Sequence, residues 1–447
     1  MSLKNKEKVI FIFRRDLRVE VNTALQKCLD YCQRNKFAMW PIFIFNPRQI
    51  VEHQNPYFSN YAAYFMINAL ENLKSYVHSL TFLYGIDEDI IVEINKNADI
   101  DSIWFNADYT PFARKRDDSI RTLAKHLSIK VKSYEDYTLK PIGSILNSSC
   151  SAYKVFTPFN VKFSIFVKKN PLKLLNKHKK ITSPNLYQHL STLTLPLPKK
   201  FVINDIHKFY NKNNIKEKYI ATRQKALEIL QNQAKLNYDR NRNNLAPNGT
   251  TRLGPYLKFG LISVREAFLK IQNEAFRRQL VWKEFFSNLT FAFPETLQGQ
   301  VSNKPNQDLT GIKKKSWSEN KKNLENWKHA NTDEDFVNAG MNQLIETGYM
   351  HNRLRMVTAS YLFNNLNIDW REGEKFFARN LVDYDPSNNN QNWQYMFRRN
   401  NYRPLKVNSQ WKKYDPKKIY TYMYNKEINE SKIRAKRIHN EPKKHLG

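Results

Sequence analysis

The strongest constraint on the fold is a regular alternation of two patterns within the first 135 residues. Short apolar runs typical of buried strands alternate with longer segments whose apolar residues recur at helical spacing. The strand-like runs are VIFIF (9–13), MWPIFIF (39–45) and SIWFN (102–106), and the helix-like segments include NTALQKCLDYC (22–32) and NYAAYFMINALENLKSYVHSL (60–80). Because parallel strands need helical crossovers, this alternation predicts a doubly wound parallel sheet.

Three charged residues directly follow the first predicted strand: Arg14, Arg15 and Asp16. Sheets of this class present functional groups beyond the carboxyl ends of their strands. The sequence therefore predicts a functional edge at this point.

The pattern changes twice further along the chain. Residues 136–205 include a stretch rich in Lys, Pro and Asn, which predicts an irregular linker. Residues 206–425 show helical periodicity without convincing strands, and residues 426–447 form a short basic segment. We expect an α/β domain over residues 1–135, joined by this linker to an all-α domain and followed by a frayed basic tail.

The net charge of the chain is strongly positive. Among 447 residues, 73 Lys and Arg stand against 41 Asp and Glu, which gives a net charge of +32. Such an excess favours a polyanionic partner, because neutralised phosphates release counterions. A merely soluble basic protein is the plainer alternative, and nucleic acid is the better hypothesis.

Several classes of protein are disfavoured. The three cysteines, Cys28, Cys32 and Cys150, are too few for a disulfide scaffold and have no neighbouring His to complete a metal site, so no metal is expected. No run approaches the roughly 20 apolar residues of a membrane span. The N-terminal MSLKNKEKVIFIF meets a charged RRD and is not a signal peptide. We expect an intracellular, monomeric protein that lies where DNA is and does not contact a membrane.

Glycine is scarce, with 11 residues, and neither GxGxxG nor GxxxxGK[ST] occurs. These absences exclude the usual dinucleotide and P-loop motifs. Any nucleotide cofactor must be held by side chains and helix ends.

Three clusters in the helical half carry polar groups that suit a ligand. In NGTTRLGPYLKFG (248–260), hydroxyls and Arg252 precede a helix start, which suits phosphate, although simple capping is the better explanation for an isolated TTR. In RRQLVWKEFF (277–286), basic and polar residues interleave with aromatics, as in surfaces that stack unpaired bases, although a Trp is usually core. In LVDYDPSNNNQNWQYMF (381–397), acids precede amides and aromatics, and an Asn-rich helix cap is the alternative.

A fourth segment, TGYMHNRLRM (347–356), begins a helix with two distinct faces. Apolar residues mark a core face, whereas Asn352, Arg355, Met356 and Ala359 line up on the other. This second face is either solvated or the wall of a pocket for a large, planar, partly charged molecule.

Seven motifs in order give the chain a resemblance to the photolyase/cryptochrome flavoproteins from Val9 to about Tyr424. The motifs are FRRDLR (13–18), YKVFTPF (153–159), GTTRLGPYLKFG (249–260), LVWKEFF (280–286), TGYMHNRLRM (347–356), IDWREGEKFF (368–377) and DYDPSNNNQNWQY (383–395). The resemblance is greatest to class I cyclobutane pyrimidine dimer photolyases, with DASH-type features in Tyr395 and DYDP. It implies FAD as cofactor, UV-damaged DNA as partner and light-driven splitting of cyclobutane dimers.

The resemblance also implies residue roles around FAD. Arg355 pairs with Asp383 beside the isoalloxazine ring, and Asn389 lies next to flavin N5, where it tunes the radical chemistry. The implied cofactor contacts are Tyr238, Thr250, Thr251, Arg252, Leu253, Gly254, Phe276, Arg355, Asp383, Asp385 and Asn389. The implied electron-transfer chain for light-driven reduction of FAD is Trp393, Trp370 and Trp317, each of which would otherwise be taken for a core residue.

On the DNA side, the resemblance places Trp282 and Tyr395 against the flipped lesion. The implied DNA contacts are Arg242, Gln279, Trp282, Lys283, Asn352, Arg353, Met356, Tyr395 and Gln410. The (6-4) photolyases carry histidines where this chain has Asn352 and Met356, which favours cyclobutane dimers as substrate. Gln279 stands where class I enzymes have Glu, so a cryptochrome-type photoreceptor without repair and a (6-4) photolyase remain as alternatives.

The resemblance leaves a second, antenna chromophore open. In YTPFARKRD (109–117), Ala113 replaces the carboxylate that folate-binding relatives use. A folate, a deazaflavin, a second flavin or no antenna at all are the alternatives.

Overall fold

The computed structural model describes residues 7–174, 197–232, 238–245, 249–298, 316–402 and 405–425, without the side chains of residue 298 and residues 398–402. The predicted basic tail and most of the Lys-, Pro- and Asn-rich stretch lie outside these ranges.

The N-terminal half contains a five-stranded parallel sheet in the order β3-β2-β1-β4-β5. The strands are β1 (Lys8–Phe13), β2 (Ala38–Phe45), β3 (Thr81–Tyr84), β4 (Ile100–Ala107) and β5 (Lys130–Glu135). Strand order reverses at β1, which lies between β2 and β4, so the switch point of the sheet lies where β1 ends. The predicted doubly wound fold is confirmed.

Helices cover both faces of this sheet. They are α1 (Thr23–Asn35), α2 (Pro47–Ile50), α3 (Asn60–Tyr76), α4 (Asp87–Asn97) and α5 (Pro111–His126). Side-chain caps fix two of the entries, because Asn22 accepts the amide of Leu25 and Ser59 accepts that of Ala62.

After the sheet, the described chain is helical, as predicted for the second half. The helices are α6 (Phe156–Lys169), α7 (Arg223–Asn232), α8 (Tyr238–Asn241), α9 (Gly254–Lys258), α10 (Val264–Lys270), α11 (Glu274–Ala292), α12 (Lys321–Lys328), α13 (Asp335–Thr347), α14 (Asn352–Ser360), α15 (Trp370–Asn380), α16 (Pro386–Tyr402), α17 (Val407–Tyr414) and α18 (Ile419–Tyr424). Short 3₁₀ turns span Lys199–Phe201, Ile206–Phe209, Lys212–Asn214 and Pro294–Gln298, and one π-helical turn, Tyr361–Asn365, follows α14.

One segment expected to be irregular forms a helix instead. Helix α6 lies within residues 136–205, and it buries Phe156, Phe159 and Phe163 on one face. Lysines and a proline interrupt the apolar residues in the sequence, so the helical periodicity of that face was not recognised. Its aromatic residues join the core that contains Phe285 of α11.

The alternating side chains of β1 divide the core between the two faces of the sheet. Ile10 and Ile12 face the cluster formed with α4 and α5. Phe11 and Phe13 face the opposite cluster, which continues into the helical half through residues such as Phe259 of the turn after α9. The helical half therefore packs against the sheet through shared core.

The loop after β1 is fastened to the helical half. The amide of Leu17 donates to the carbonyl of Phe259, and buried Arg18 donates to the carbonyl of Gly260 and pairs with Asp136. Gly260 has φ +65°, and a Cβ there would lie 2.3 Å from the carbonyl oxygen of Arg15. Only glycine permits this approach. In the part of the chain that the structure describes, no helix is long and apolar enough to cross a membrane.

Candidate functional site

A cavity of about 480 Å³ lies among the helices of the C-terminal half. It is enclosed by α9, α11, α14, α15, the loop before α16, and α16 itself. The predicted residues that line it are Thr251, Leu253, Gly254, Phe276, Gln279, Trp282, Lys283, Asn352, Arg353, Arg355, Met356, Asp383, Asp385, Asn389, Trp393 and Tyr395. The polar face predicted for the segment after residue 347 is therefore a cavity wall.

An ion pair marks one wall of this cavity. Arg355 Nη2 lies 3.2 Å from both carboxylate oxygens of Asp383, and its Nε donates to the carbonyl of Met350 at 2.8 Å. A Cβ on Gly254 would lie 2.5 Å from Asp383 Oδ2. The glycine therefore allows α9 to begin directly against the carboxylate.

A second wall presents a side-chain amide held in one orientation. Buried Asn389 donates through Nδ2 to Glu374 Oε1 at 2.9 Å and to the Glu374 carbonyl at 3.1 Å. Since both amide protons are directed at Glu374, the oxygen of Asn389 stays available as an acceptor. Burial raises the pKa of Glu374 to about 7, although the hydrogen bond from Asn389 favours its ionised form.

Asp385, expected to contact a cofactor, lines the cavity and also pairs with a residue of the sheet domain. Its Oδ2 accepts from Arg15 Nη1 at 2.6 Å, and its Oδ1 accepts the amide of Asn388 at 3.0 Å. Burial alone would raise the pKa of Asp385, but Arg15 and Lys258 outweigh it and hold that pKa well below its usual range. The charge of Asp385 thus joins the sheet edge to the start of α16.

Some predicted residues lie behind the cavity wall. Tyr238 stacks on Phe276 with ring centroids 4.9 Å apart and planes at 15°. Thr250 and Tyr349 share a hydroxyl–hydroxyl bond of 2.8 Å, and the guanidinium of Arg252 lies 4.6 Å from the Tyr349 ring centroid. Arg242, Gln410, Trp370 and Trp317 are likewise not on the wall.

The open side of the cavity carries aromatic and amide groups. Trp282 stacks face to face on Phe156, with centroids 3.6 Å apart, and meets Tyr395 at 5.3 Å and 69°. Tyr395 is 39% exposed, and Gln279 and Asn352 are also exposed. One face of Trp282 is therefore already covered, which the sequence did not indicate.

Trp393 is buried at the inner end of the cavity. Its ring meets Phe377 edge-on at 5.0 Å, and a Cβ on Gly373 would lie 2.3 Å from it. Trp370 is buried at the start of α15, whereas Trp317 packs on Phe397 at 5.3 Å. The three tryptophans belong to or pack against one core cluster.

A second cavity, of about 460 Å³, lies at the carboxyl edge of the sheet, where the sequence predicted functional groups. Arg14 lines it, donates through Nη1 to Asp117 at 2.7 Å, and lies 4.0 Å over the Phe105 ring. Among the described residues, Arg14 Nε and Nη2 are buried without a hydrogen-bond partner. These atoms are available to an acceptor on a ligand. Ala113 is buried on the neighbouring α5.

Three residues that were not singled out as site residues contribute to both regions. Lys258 and Tyr384 line both cavities, and Glu374 lines the second cavity while it holds Asn389 of the first. Burial, followed by repulsion from Arg15, lowers the pKa of Lys258 to about 8. Each lies in or beside a quoted motif, but motif membership alone did not indicate that the two cavities share a wall.

Comparison with known proteins agrees with this architecture. Residues 9–172 match the family model described as DNA photolyase, and residues 276–446 match the FAD binding domain of DNA photolyase. The deoxyribodipyrimidine photo-lyase of Alkalihalophilus pseudofirmus is 30% identical over 397 residues, covering 86% of this chain and 78% of the relative. That of Buchnera aphidicola subsp. Baizongia pistaciae is 31% identical over 412 residues, covering 86% and 80%.

Solved structures give the same result. An archaeal photolyase from Sulfolobus tokodaii, described as containing two FAD molecules, superposes with a TM-score of 0.78 at 32% identity, covering 94% of this chain and 91% of that one. A Synechocystis cryptochrome superposes with a TM-score of 0.78 at 21% identity, covering 96% and 90%, which shows the fold alone. Fold and cavities thus define a two-domain flavoprotein of the photolyase/cryptochrome class. Within that class, the chain belongs to the DNA photolyase family.

Proposed function

We propose that this protein is an FAD-dependent deoxyribodipyrimidine photo-lyase, which splits cyclobutane pyrimidine dimers in UV-damaged DNA with blue light. The observation that carries the proposal is the composition of the first cavity. Its inner wall has polar groups complementary to a flavin, and its open side has aromatic and amide groups suited to an extruded pyrimidine dimer. Flavin and lesion can therefore meet in one enclosure.

The residues present fit an isoalloxazine ring. The Arg355–Asp383 pair offers a donor and an acceptor side by side, and the free oxygen of Asn389 offers an acceptor at a fixed position. Among the described residues, the Nε of nearby Arg252 is buried without a partner, which suits an anionic group such as the cofactor's phosphates. Bound FAD supplies the light-driven electron that opens the cyclobutane ring.

The protein itself has to position the flavin and the lesion, exclude water from the cavity and stabilise the charge that develops. Arg355 and Asp383 orient the flavin, and Glu374 prevents the side-chain amide of Asn389 from flipping by 180°. Trp282 and Tyr395 stack on the extruded lesion, whose weakened pairing lowers the cost of leaving the duplex. Gln279 and Asn352 present amides to the lesion's carbonyl groups. Fixed dipoles and a dry cavity stabilise the transient charge.

The choice of lesion follows from the absence of a proton donor at two positions. Asn352 and Met356 face the cavity, with Asn352 Nδ2 3.9 Å from Met356 Sδ, and neither side chain is an acid. A (6-4) product requires proton transfer to its hydroxyl, whereas a cyclobutane dimer requires only an electron and its return. This difference favours the cyclobutane dimer.

We assign the second cavity to a light-harvesting chromophore. Its unpartnered Arg14 atoms and its position beside the first cavity support this assignment, as does the Sulfolobus tokodaii relative with two FAD molecules. Folate, deazaflavin and flavin remain the candidate classes.

The cofactor is tested by extraction. Protein purified in the dark and denatured should release non-covalent FAD, identified by chromatography against FAD and FMN standards. An Asp383→Asn variant should release less, because the acceptor opposite Arg355 is weakened. Folded protein that releases only FMN, or no flavin after incubation with FAD, would contradict the proposal.

A further inference from the structure

Two tyrosines form an aromatic connection through the wall between the cavities. The rings of Tyr57 and Tyr384 are nearly parallel, at 8°, with centroids 6.2 Å apart. Tyr384 lines both cavities, and Tyr57 lines the second. Both side chains are partly exposed, so the pair leads from the first cavity toward solvent.

This connection leaves the first cavity in a different direction from the tryptophans. Trp393 packs against Phe377 within the C-terminal helical core. Tyr57, by contrast, belongs to the segment between α2 and α3 of the sheet domain. A charge that moved from Tyr384 to Tyr57 would therefore cross from one domain to the other.

A carboxyl group stands beside both rings. Glu374 is 3% exposed and lines the second cavity together with Tyr57 and Tyr384. Burial is the main cause that raises the pKa of both phenols, and the charge of Glu374 is the next. A phenol loses an electron far more readily when its proton has an acceptor nearby, and Glu374 is a buried carboxyl group that lines the same cavity as both rings.

We propose that Tyr384 and Tyr57 form a second electron route for light-driven reduction of the flavin, separate from the tryptophans. The proposal rests on the proposed function, since it requires FAD in the first cavity. Tyr384 gives one electron to the photoexcited oxidised flavin and its phenolic proton to the Glu374 carboxylate. Tyr57 then returns an electron to Tyr384, which takes its proton back from Glu374, while the proton of Tyr57 leaves to solvent.

The route is completed by a thiol in solution. A thiol supplies one electron and one proton to Tyr57 and is itself oxidised, so each cycle moves one electron from thiol to flavin. Tyr57 and Tyr384 end each cycle unchanged.

The test starts from a Trp393→Phe variant, in which the first tryptophan cannot donate. In the presence of a thiol, this variant should still reduce its FAD under blue light, more slowly than the unmodified protein. Adding Tyr384→Phe or Tyr57→Phe should abolish the remaining reduction. Tyr64→Phe is the matched control, because Tyr64 lies on α3 in another tyrosine pair, 5.4 Å from Tyr210, and lines neither cavity.

A second measurement does not depend on the reduction rate. Samples of Trp393→Phe frozen under illumination should give the electron paramagnetic resonance signal of a tyrosyl radical. Incorporation of ring-deuterated tyrosine should narrow this signal, and addition of Tyr384→Phe should abolish it. An unchanged rate after Tyr384→Phe, no reduction at all in Trp393→Phe, or a signal insensitive to tyrosine deuteration would overturn the route. Bound FAD is measured by absorbance before illumination, so a failure of cofactor binding is distinguished from a failure of the route.

Discussion

The contacts of Trp282 indicate its role in binding a base. One ring face is covered by Phe156, and Phe285, Phe286 and Tyr395 also contact the ring, while the indole still lines the cavity. Phe156 fixes the indole before any ligand arrives, which lowers the entropy that stacking would otherwise cost. We therefore expect Trp282 to be a rigid platform for an extruded base.

Truncation of Trp282 should weaken binding to damaged DNA more than binding to undamaged DNA. Trp282→Ala should weaken binding to dimer-containing DNA by about 1–3 kcal/mol, the usual contribution of one stacked base, and change binding to undamaged duplex little. Titration of labelled oligonucleotides in the dark measures both. Tyr76→Ala, which removes a 63% exposed aromatic ring that does not line the cavity, is the control. Equal losses for damaged and undamaged DNA would show that Trp282 does not read the lesion.

Among the elements, α11 connects the domains through one buried carboxyl. Glu284 accepts the amides of Leu139 and Lys140 at 2.8 and 3.0 Å and thereby fixes the chain that leaves β5. Burial raises the pKa of Glu284 to about 7, although the two amides and the cations Lys283 and Arg265 favour its ionised form. Lys140 is a further cation that interacts with Glu284.

This shift predicts a pH dependence of stability. Because the folded state binds the proton of Glu284 more tightly than the unfolded chain, the free energy of unfolding should fall as pH rises from 4.5 to about 7 and level off above. The fall attributable to Glu284 is at most on the order of 3 kcal/mol. Glu284→Gln should remove that part of the slope in denaturant unfolding curves. The exposed Glu228→Gln should keep it, and identical slopes in all three proteins would refute the assignment.

Secondary structure was predictable from the sequence where burial was deep and periodic. Strands β1, β2 and β4 were evident because nearly every residue is buried. Strand β5, KVKSYE, lies at an edge with lysines outward, and β3 has only four residues, so neither gave a clear signal. Helix α6 was missed because lysines interrupt its sequence, and its phenylalanines are buried by packing against α11, which is distant in the sequence.

The candidate site was predictable in its composition but not in its geometry. Motifs brought Arg355, Asp383 and Asn389 to attention, and the structure places all three on one cavity. The pairing of Arg15 with Asp385 joins residues 370 positions apart, and the stacking of Tyr57 on Tyr384 joins residues far apart as well. Neither follows from local spacing, since both depend on how the domains pack.

At the scale of the whole molecule, the net charge of +32 remains the dominant property. We expect binding to undamaged duplex to weaken steeply as salt rises, because phosphate contacts made by Lys and Arg release counterions. A plot of the logarithm of affinity against the logarithm of salt concentration should have a clearly negative slope. An affinity independent of salt would show that the positive charge does not face the DNA.

The central claim is that flavin and cyclobutane dimer react in one cavity, and light-driven repair tests it most directly. Protein reduced in the absence of oxygen should be mixed with oligothymidine that contains cyclobutane dimers, or with (6-4) products, and exposed to blue light. We predict that thymine absorbance returns for cyclobutane dimers only, in light and not in the dark. Restoration of (6-4) products would contradict the assignment of substrate. No repair of either lesion, in single-stranded or double-stranded DNA and with FAD bound, would contradict the proposed enzyme and favour a photoreceptor.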